Sequence, residues 1–78
     1  MKLENLTSIL EFLNFLDKKR LSYWIEHDIA DCLTVIIFVP GIRYEVYFYE
    51  DRVDYSFFKG DEMVHDDLPK LLKELSEE

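Results

Sequence analysis

The sequence predicts an α+β fold, in which an antiparallel β-meander of three or four strands lies between an N-terminal and a C-terminal helix. Apolar residues recur at helical spacing near both ends, and apolar and polar residues alternate in the middle of the chain. The predicted strands are joined by connections of 2–4 residues, which suit hairpins and are too short for parallel crossovers. The predicted order is therefore α-β-β-β-β-α in a single domain, 1–78, with both helices on one sheet face.

The first segment has the pattern of an amphipathic helix. Lys18, Lys19 and Arg20 end it, because cations interact favourably with the negative end of a helix dipole. Three residues are alternative N-caps: Asn5, Thr7 and Ser8. The predicted apolar stripe consists of leucine and isoleucine at three- and four-residue spacing, namely Leu3, Leu6, Ile9, Leu10, Leu13 and Leu16.

The middle of the chain predicts strands at 23–27, Cys32–Val39, Ile42–Tyr49 and Val53–Phe58, with a short edge strand at 63–65. Turn residues separate them at Pro40-Gly41, at 50–52 and at 59–62. The second strand is apolar on both faces, as is typical of a central strand. In the third strand, alternation predicts that four residues face the helices: Ile42, Tyr44, Val46 and Phe48.

The second helix is predicted at the C-terminal end of the chain. Asp66 or Asp67 caps it, and Pro69 lies in its first turn, where a missing N–H costs nothing. Its apolar stripe consists of four leucines: Leu68, Leu71, Leu72 and Leu75.

The chain is acidic, with a formal net charge of -8 that is concentrated in its second half. Residues 1–40 carry six acids and four bases, whereas residues 41–78 carry eleven acids and five bases. Such a field repels nucleic acids and membrane surfaces and attracts basic proteins. Neither nucleic acid nor membrane is therefore expected as a partner. The alternative explanation of the acidity is that it only keeps the protein soluble.

The sequence does not have the pattern of an enzyme. Each histidine is followed by an aspartate, but neighbours on a strand point to opposite faces, so neither pair predicts a metal site. Cys32 begins an apolar strand and is expected to be a buried, inert thiol. We therefore expect no catalytic residue, metal or cofactor. The single cysteine and the start of the chain, which lacks a signal-peptide pattern, predict a cytoplasmic location.

The outward face of the sheet is the predicted binding surface, because tyrosine and tryptophan beside charged residues are typical of protein interfaces. The alternative is that these aromatics only cover a thin core. Alternation predicts that the face carries Arg43, Glu45, Tyr47, Tyr49, Asp54, Ser56 and Phe58, together with Trp24 and Glu26. The predicted partner-binding residues are Glu45, Tyr47, Tyr49, Glu50, Asp51, Asp54, Asp61 and Glu62.

The predicted hairpin at 39–48 reads Val-Pro-Gly-Ile-Arg-Tyr-Glu-Val-Tyr-Phe, and Asp31-Cys32-Leu33 begins the strand before it. This pattern resembles small bacterial immunity proteins encoded beside polymorphic toxins of the Rhs and contact-dependent inhibition types. The chain differs from the family pattern at two places. It has Tyr44 where the family has Trp, and it has Glu-Asp-Arg at 50–52 where the family has an Asp-Gly turn. The resemblance implies a cytoplasmic, non-catalytic inhibitor that binds one cognate toxin domain.

Three functions follow as hypotheses. The first is an immunity protein that neutralises a basic, nuclease-like toxin. A nuclease binds the phosphate backbone in a basic cleft, and an acidic protein surface is complementary to such a cleft. The second is a nucleic-acid mimic, such as a phage-type inhibitor of a host nuclease complex. The third is a small adaptor subunit that forms a homodimer through an exposed strand edge near 63–65.

Overall fold

The computed structural model describes residues 1–58 and 64–77. A 3₁₀ turn at Leu6–Ser8 leads into helix α1, Ile9–Lys18, and helix α2 covers Leu68–Ser76. Between them lie β1, Ser22–Glu26; β2, Cys32–Val39; β3, Ile42–Tyr49; β4, Val53–Phe58; and the two-residue β5, Val64–His65. The predicted α+β class and the order of the helices and the four longer strands are confirmed. The predicted turn at 59–62 and the start of the edge strand at 63 lie outside the described residues.

Helix α1 begins after a capped 3₁₀ turn. The Asn5 side chain accepts a hydrogen bond from the Thr7 amide at 2.9 Å, so Asn5 is the cap of that turn. The Ser8 hydroxyl instead accepts from the Glu4 amide at 3.1 Å. The prediction that Leu10 belongs to the apolar stripe is wrong, since its side chain is 66% exposed. It lies about 200° around the helix from Phe12, which is buried and takes the core-facing position.

The sheet is an antiparallel meander in the order β1-β2-β3-β4-β5. The two-residue turn at Pro40-Gly41 pairs Val39 with Ile42 and thereby sets the register of β2 against β3 along their full length. Gly41 has φ +82°, a left-handed conformation that glycine adopts without steric cost. The turn therefore determines which residues share a sheet face.

One face of the sheet, here called the helix face, carries the core. The Phe12 and Phe48 rings lie 5.5 Å apart, which packs α1 on β3. Both helices contribute to the same apolar cluster, so the prediction that they cover one face is confirmed. Its buried members include Phe12, Leu16, Val35, Ile37, Tyr44, Val46, Phe48, Val53, Tyr55, Leu71 and Leu75.

The C-terminal ends of the helices are joined, and α2 has a defined start. The Asp67 side chain accepts a hydrogen bond from the Lys70 amide at 3.3 Å, so Asp67 is the cap rather than Asp66. The Lys19 ammonium, at the end of α1, donates to the Ser76 carbonyl at 2.7 Å. This bond holds a cation at the end of α2, where the helix dipole is negative.

Candidate partner-binding face

The second face of the sheet, here called the open face, points away from both helices. It begins at β1 and continues across β2, β3 and β4, because the pairing register places alternate residues of each strand side by side. The prediction of which β3 and β4 residues point outward is confirmed. The open face consists of Ser22, Trp24, Glu26, Cys32, Thr34, Ile36, Phe38, Arg43, Glu45, Tyr47, Tyr49, Asp54, Ser56 and Phe58.

The β1 side of the open face is aromatic. The Trp24 and Phe38 ring centroids are 4.5 Å apart, and the two side chains are 52% and 37% exposed. The Trp24 indole N–H donates to the Glu26 carboxylate at 2.9 Å, which orients the ring. Ile36 lies opposite Trp24 in the register and is buried. Trp24 and Phe38 thus form an exposed apolar patch of fixed geometry.

Phe38 was absent from the predicted site. Because β2 is apolar at nearly every position, its sequence does not indicate which apolar side chains are covered. The signal that identifies Phe38 is its pairing with Ser22, a small residue at the sheet edge that leaves the ring uncovered.

A hydrogen-bonded group occupies the centre of the open face. The Tyr47 hydroxyl donates to the Glu45 carboxylate at 3.0 Å and also lies 3.5 Å from the Ser56 hydroxyl. Glu45 in turn forms an ion pair with Arg43 at 3.2 Å. Burial raises the pKa of Tyr47, and the Glu45 carboxylate raises it further while the Ser56 hydroxyl opposes the change. The Tyr47 phenol therefore gives up its proton less readily than a free phenol, and its hydroxyl is directed toward Glu45.

A second group surrounds Arg52, in the turn between β3 and β4. The Arg52 guanidinium lies 3.1 Å from both the Asp51 and the Asp54 carboxylates and 4.0 Å from the centre of the Tyr49 ring. The hydrogen bond to Asp54 is the main reason that the pKa of Arg52 is raised. Two of the predicted binding carboxylates are thus paired with a cation of their own chain.

The structure brings most of the predicted partner-binding residues into two neighbouring groups. Glu45 and Tyr47 lie at the centre of the open face, whereas Tyr49, Asp51 and Asp54 surround Arg52. Glu50 is exposed in the turn and forms no ion pair with any described residue. The remaining two predictions, Asp61 and Glu62, lie outside the described residues.

The electrostatic character of this surface is acidic but not uniformly so. With the β3–β4 turn included, it holds five carboxylates, at Glu26, Glu45, Glu50, Asp51 and Asp54, and two guanidinium groups. Arg43 also lies over the Phe58 ring, 4.5 Å from its centre. Each arginine therefore contacts both a carboxylate and an aromatic ring, so carboxylates and rings lie close together on this surface.

The Cys32 thiol is buried, as predicted, and lies opposite Tyr49 in the register. Among the described residues, no three histidine, cysteine or acidic side chains are grouped so as to hold a metal ion. In residues 1–58 and 64–77, neither helix has the length and hydrophobicity needed to cross a bilayer.

Comparison with protein-family models, with curated proteins and with solved structures gave no match to this chain.

Proposed function

We propose that this chain is a non-catalytic immunity protein that binds a basic, nuclease-like bacterial toxin domain through its open face. The observation that carries the proposal is that no helix of the described residues covers the open face, which bears the exposed, mutually packed rings of Trp24 and Phe38. Exposed aromatic side chains beside charged residues are typical of protein-interaction surfaces. The resemblance of the hairpin at 39–48 to immunity proteins suggests the class of partner.

The aromatic residues of the open face are suited to anchoring a partner. Trp24 is oriented by Glu26 and by contact with Phe38, and Tyr47 by Glu45. Because these side chains are already ordered, binding loses less conformational entropy than it would with mobile ones. Tyrosine and tryptophan are also enriched among the residues that dominate binding energy.

The charge of the chain is suited to attracting a basic partner. The net charge of -8 produces a long-range field, whereas the carboxylates next to Arg43 and Arg52 are locally compensated. Long-range attraction raises the association rate, and it matters for an inhibitor that must capture a toxin before the toxin acts. We therefore assign association to the net field, to which Glu50 in the exposed turn contributes, and retention to the aromatic rings.

The first experiment is co-expression with the product of the adjacent gene. We expect a stable complex and restored growth, whereas a failure to form a complex combined with a failure to rescue growth would contradict the proposal. In the purified complex, Trp24→Ala and Tyr47→Ala should each raise the dissociation rate about tenfold or more. Leu10→Ala is the matched control, because Leu10 is an exposed apolar residue of α1, away from the open face.

A second experiment separates electrostatic attraction from anchoring. The triple variant Glu50→Gln, Asp51→Asn, Asp54→Asn should slow association at low ionic strength and leave dissociation nearly unchanged. A comparison variant removes the same number of charges from the helix side of the molecule, by Glu4→Gln, Glu11→Gln and Glu77→Gln. It should slow association less than the first variant, because those charges lie farther from the open face and are screened more strongly there. If the first triple variant associates at the wild-type rate in low salt, the acidity serves solubility and not binding.

The alternative of a nucleic-acid mimic has less support. A mimic needs carboxylates spaced like phosphates over one surface, because it substitutes for a regular backbone. The described carboxylates are instead distributed over α1, the connection after β1, the open face and α2. Those of the open face are interrupted by Arg43 and Arg52.

A further inference from the structure

The strand β1 forms one edge of the sheet. It pairs with β2 on one side, and no strand of the described chain lies on its other side. An edge strand presents backbone N–H and C=O groups that are free to pair with another strand. Natural edges are commonly protected by a proline, a lysine or a bulge. The β1 sequence, Ser-Tyr-Trp-Ile-Glu, contains neither proline nor lysine, and its pairing with β2 runs without a bulge.

The same edge concentrates the exposed apolar surface of the molecule. Six large hydrophobic side chains of the described residues are exposed, and four of them lie on β1, on the connection that follows it or on the adjacent β2. Trp24 points to the open face, whereas Ile25 points to the helix face. The apolar surface therefore wraps around the edge instead of belonging to one face. The four residues are Trp24, Ile25, Ile29 and Phe38.

The residues at the two ends of β1 carry charges of opposite sign, with cations before the strand and acids at its end and after it. Three cations, Lys18, Lys19 and Arg20, precede the strand, and three acids, Glu26, Asp28 and Asp31, end or follow it. Antiparallel pairing of β1 with a second β1 brings the basic end of each strand to the acidic end of the other. This local charge pattern is self-complementary. With Asp17, whose carboxylate bonds the Tyr23 hydroxyl, residues 17–31 hold three cations and four acids, a net charge of -1 against -8 for the whole chain.

We propose that β1 is a homodimerisation edge, at which two copies of this chain pair their β1 strands antiparallel and join two sheets into one. Full overlap of Ser22–Glu26 with itself places Ser22 opposite Glu26 and Trp24 opposite Trp24 across a twofold axis. Continuing that register places Arg20 of one copy near Asp28 of the other. Both open faces then lie on the same side of the joined sheet.

The negative charge of each copy opposes association, but mostly at a distance. At physiological ionic strength the screening length is ~8 Å, so the acidic second halves of the two copies repel weakly across the molecule. In the proposed dimer, the opposite charges at each end of the paired β1 strands lie next to each other, so salt screens their attraction much less. The proposal does not rest on the assigned toxin partner, because it concerns the isolated chain.

Sedimentation of the purified chain at physiological ionic strength, from micromolar to millimolar protein, tests the proposal. We expect a concentration-dependent dimer. Trp24→Glu should weaken the dimer about tenfold or more, because two like charges then face each other across the axis. Leu10→Glu is the control, since it makes the same change at an exposed apolar site on α1 and should leave the dimer intact. A wild-type chain that remains monomeric, or a dimer that Trp24→Glu leaves unchanged, overturns the proposal.

A charge exchange tests the antiparallel register directly. In a dimer of the Arg20→Asp variant, the introduced carboxylate faces the Asp28 carboxylate of the other copy. In a dimer of the Asp28→Arg variant, the introduced guanidinium faces that of Arg20. Each variant should therefore dimerise more weakly than the wild-type chain.

Mixing the two variants should reverse this loss. At one end of the paired strands in the mixed dimer, the native Arg20 faces the native Asp28. At the other end, the introduced aspartate at position 20 faces the introduced arginine at position 28. Both ends therefore pair opposite charges. We expect an equimolar mixture to form a heterodimer of nearly wild-type affinity. If the mixture associates no better than either variant alone, the proposed pairing is wrong.

Discussion

The hydroxyl group of Tyr44 donates a hydrogen bond to the Glu74 carboxylate at 3.0 Å, and this bond joins β3 to α2. The Tyr44 side chain is only 2% exposed, so its ring belongs to the core while its hydroxyl reaches the partly exposed surface of the helix. A buried tyrosine needs such a partner, because an unsatisfied hydroxyl in the interior costs free energy. The pair therefore helps to determine where α2 lies on the sheet.

Removing this hydroxyl should destabilise the protein. We expect Tyr44→Phe to lower the free energy of unfolding by about 1–2 kcal/mol, because a hydrogen bond to a charged group contributes more than a neutral one. Urea denaturation measures the change. Tyr23→Phe is the control, since the Tyr23 hydroxyl also bonds a carboxylate, that of Asp17 at 2.9 Å, but at an exposed site. A loss for Tyr44→Phe no larger than that for Tyr23→Phe would contradict the role assigned to the Tyr44–Glu74 bond.

The core-facing side of β3 should be highly sensitive to truncation. Phe48 is fully buried and packs against Phe12, so Phe48→Ala should cost about 3–5 kcal/mol of stability. Phe38→Ala, on the open face, should cost much less because the Phe38 ring is already partly in water. Thermal and urea denaturation of both variants check this difference. A loss below about 1 kcal/mol for Phe48→Ala would mean that the faces of β3 are inverted.

The turn between β2 and β3 should require glycine for its backbone conformation and not for space. A Cβ atom on Gly41 would meet nothing within 4 Å, but its φ of +82° is strained for any other residue. We expect Gly41→Ala to cost about 1 kcal/mol and Gly41→Asn to cost less, because asparagine tolerates left-handed φ better. The unfolding midpoint in urea gives both values. Equal stability of Gly41→Ala and the wild-type chain would exclude backbone strain as the reason for this glycine.

Stability should fall at alkaline pH because of Tyr55. Burial raises the pKa of Tyr55 above 10.0, and the nearby carboxylates of Glu74, Asp67 and Asp66 raise it further. The folded state therefore holds the proton more tightly than the unfolded state does. This contribution to stability is fully present below about pH 10 and is lost as the pH rises through the folded-state pKa.

Urea denaturation on both sides of about pH 10 measures this alkaline loss. Tyr55→Phe should make the slope of stability against pH shallower above that pH, because the phenylalanine ring cannot ionise. An unchanged slope in the variant would show that other groups govern the alkaline transition.

Much of the fold could be predicted because its signals are local. The bounds of β2, β3 and β4 are those that alternation and turn residues indicate. The strand β1 begins and ends one residue earlier than predicted, since pairing with Thr34 and Phe38 of β2 sets its ends. The error at Leu10 has a similar origin, because a stripe of apolar residues shows that a helix is amphipathic but does not show which of them the sheet covers.

By itself, the sequence determined which β3 and β4 residues point away from the core, because side-chain direction alternates along any strand. Only the tertiary structure decided what those residues touch. The pairing of β1 with β2 brings Trp24 to Phe38, and the course of the β3–β4 turn brings Arg52 to Asp54 and to the Tyr49 ring. Such contacts depend on strand register and turn geometry, which position side chains to within a few ångströms, whereas a periodic pattern specifies only the side of the sheet.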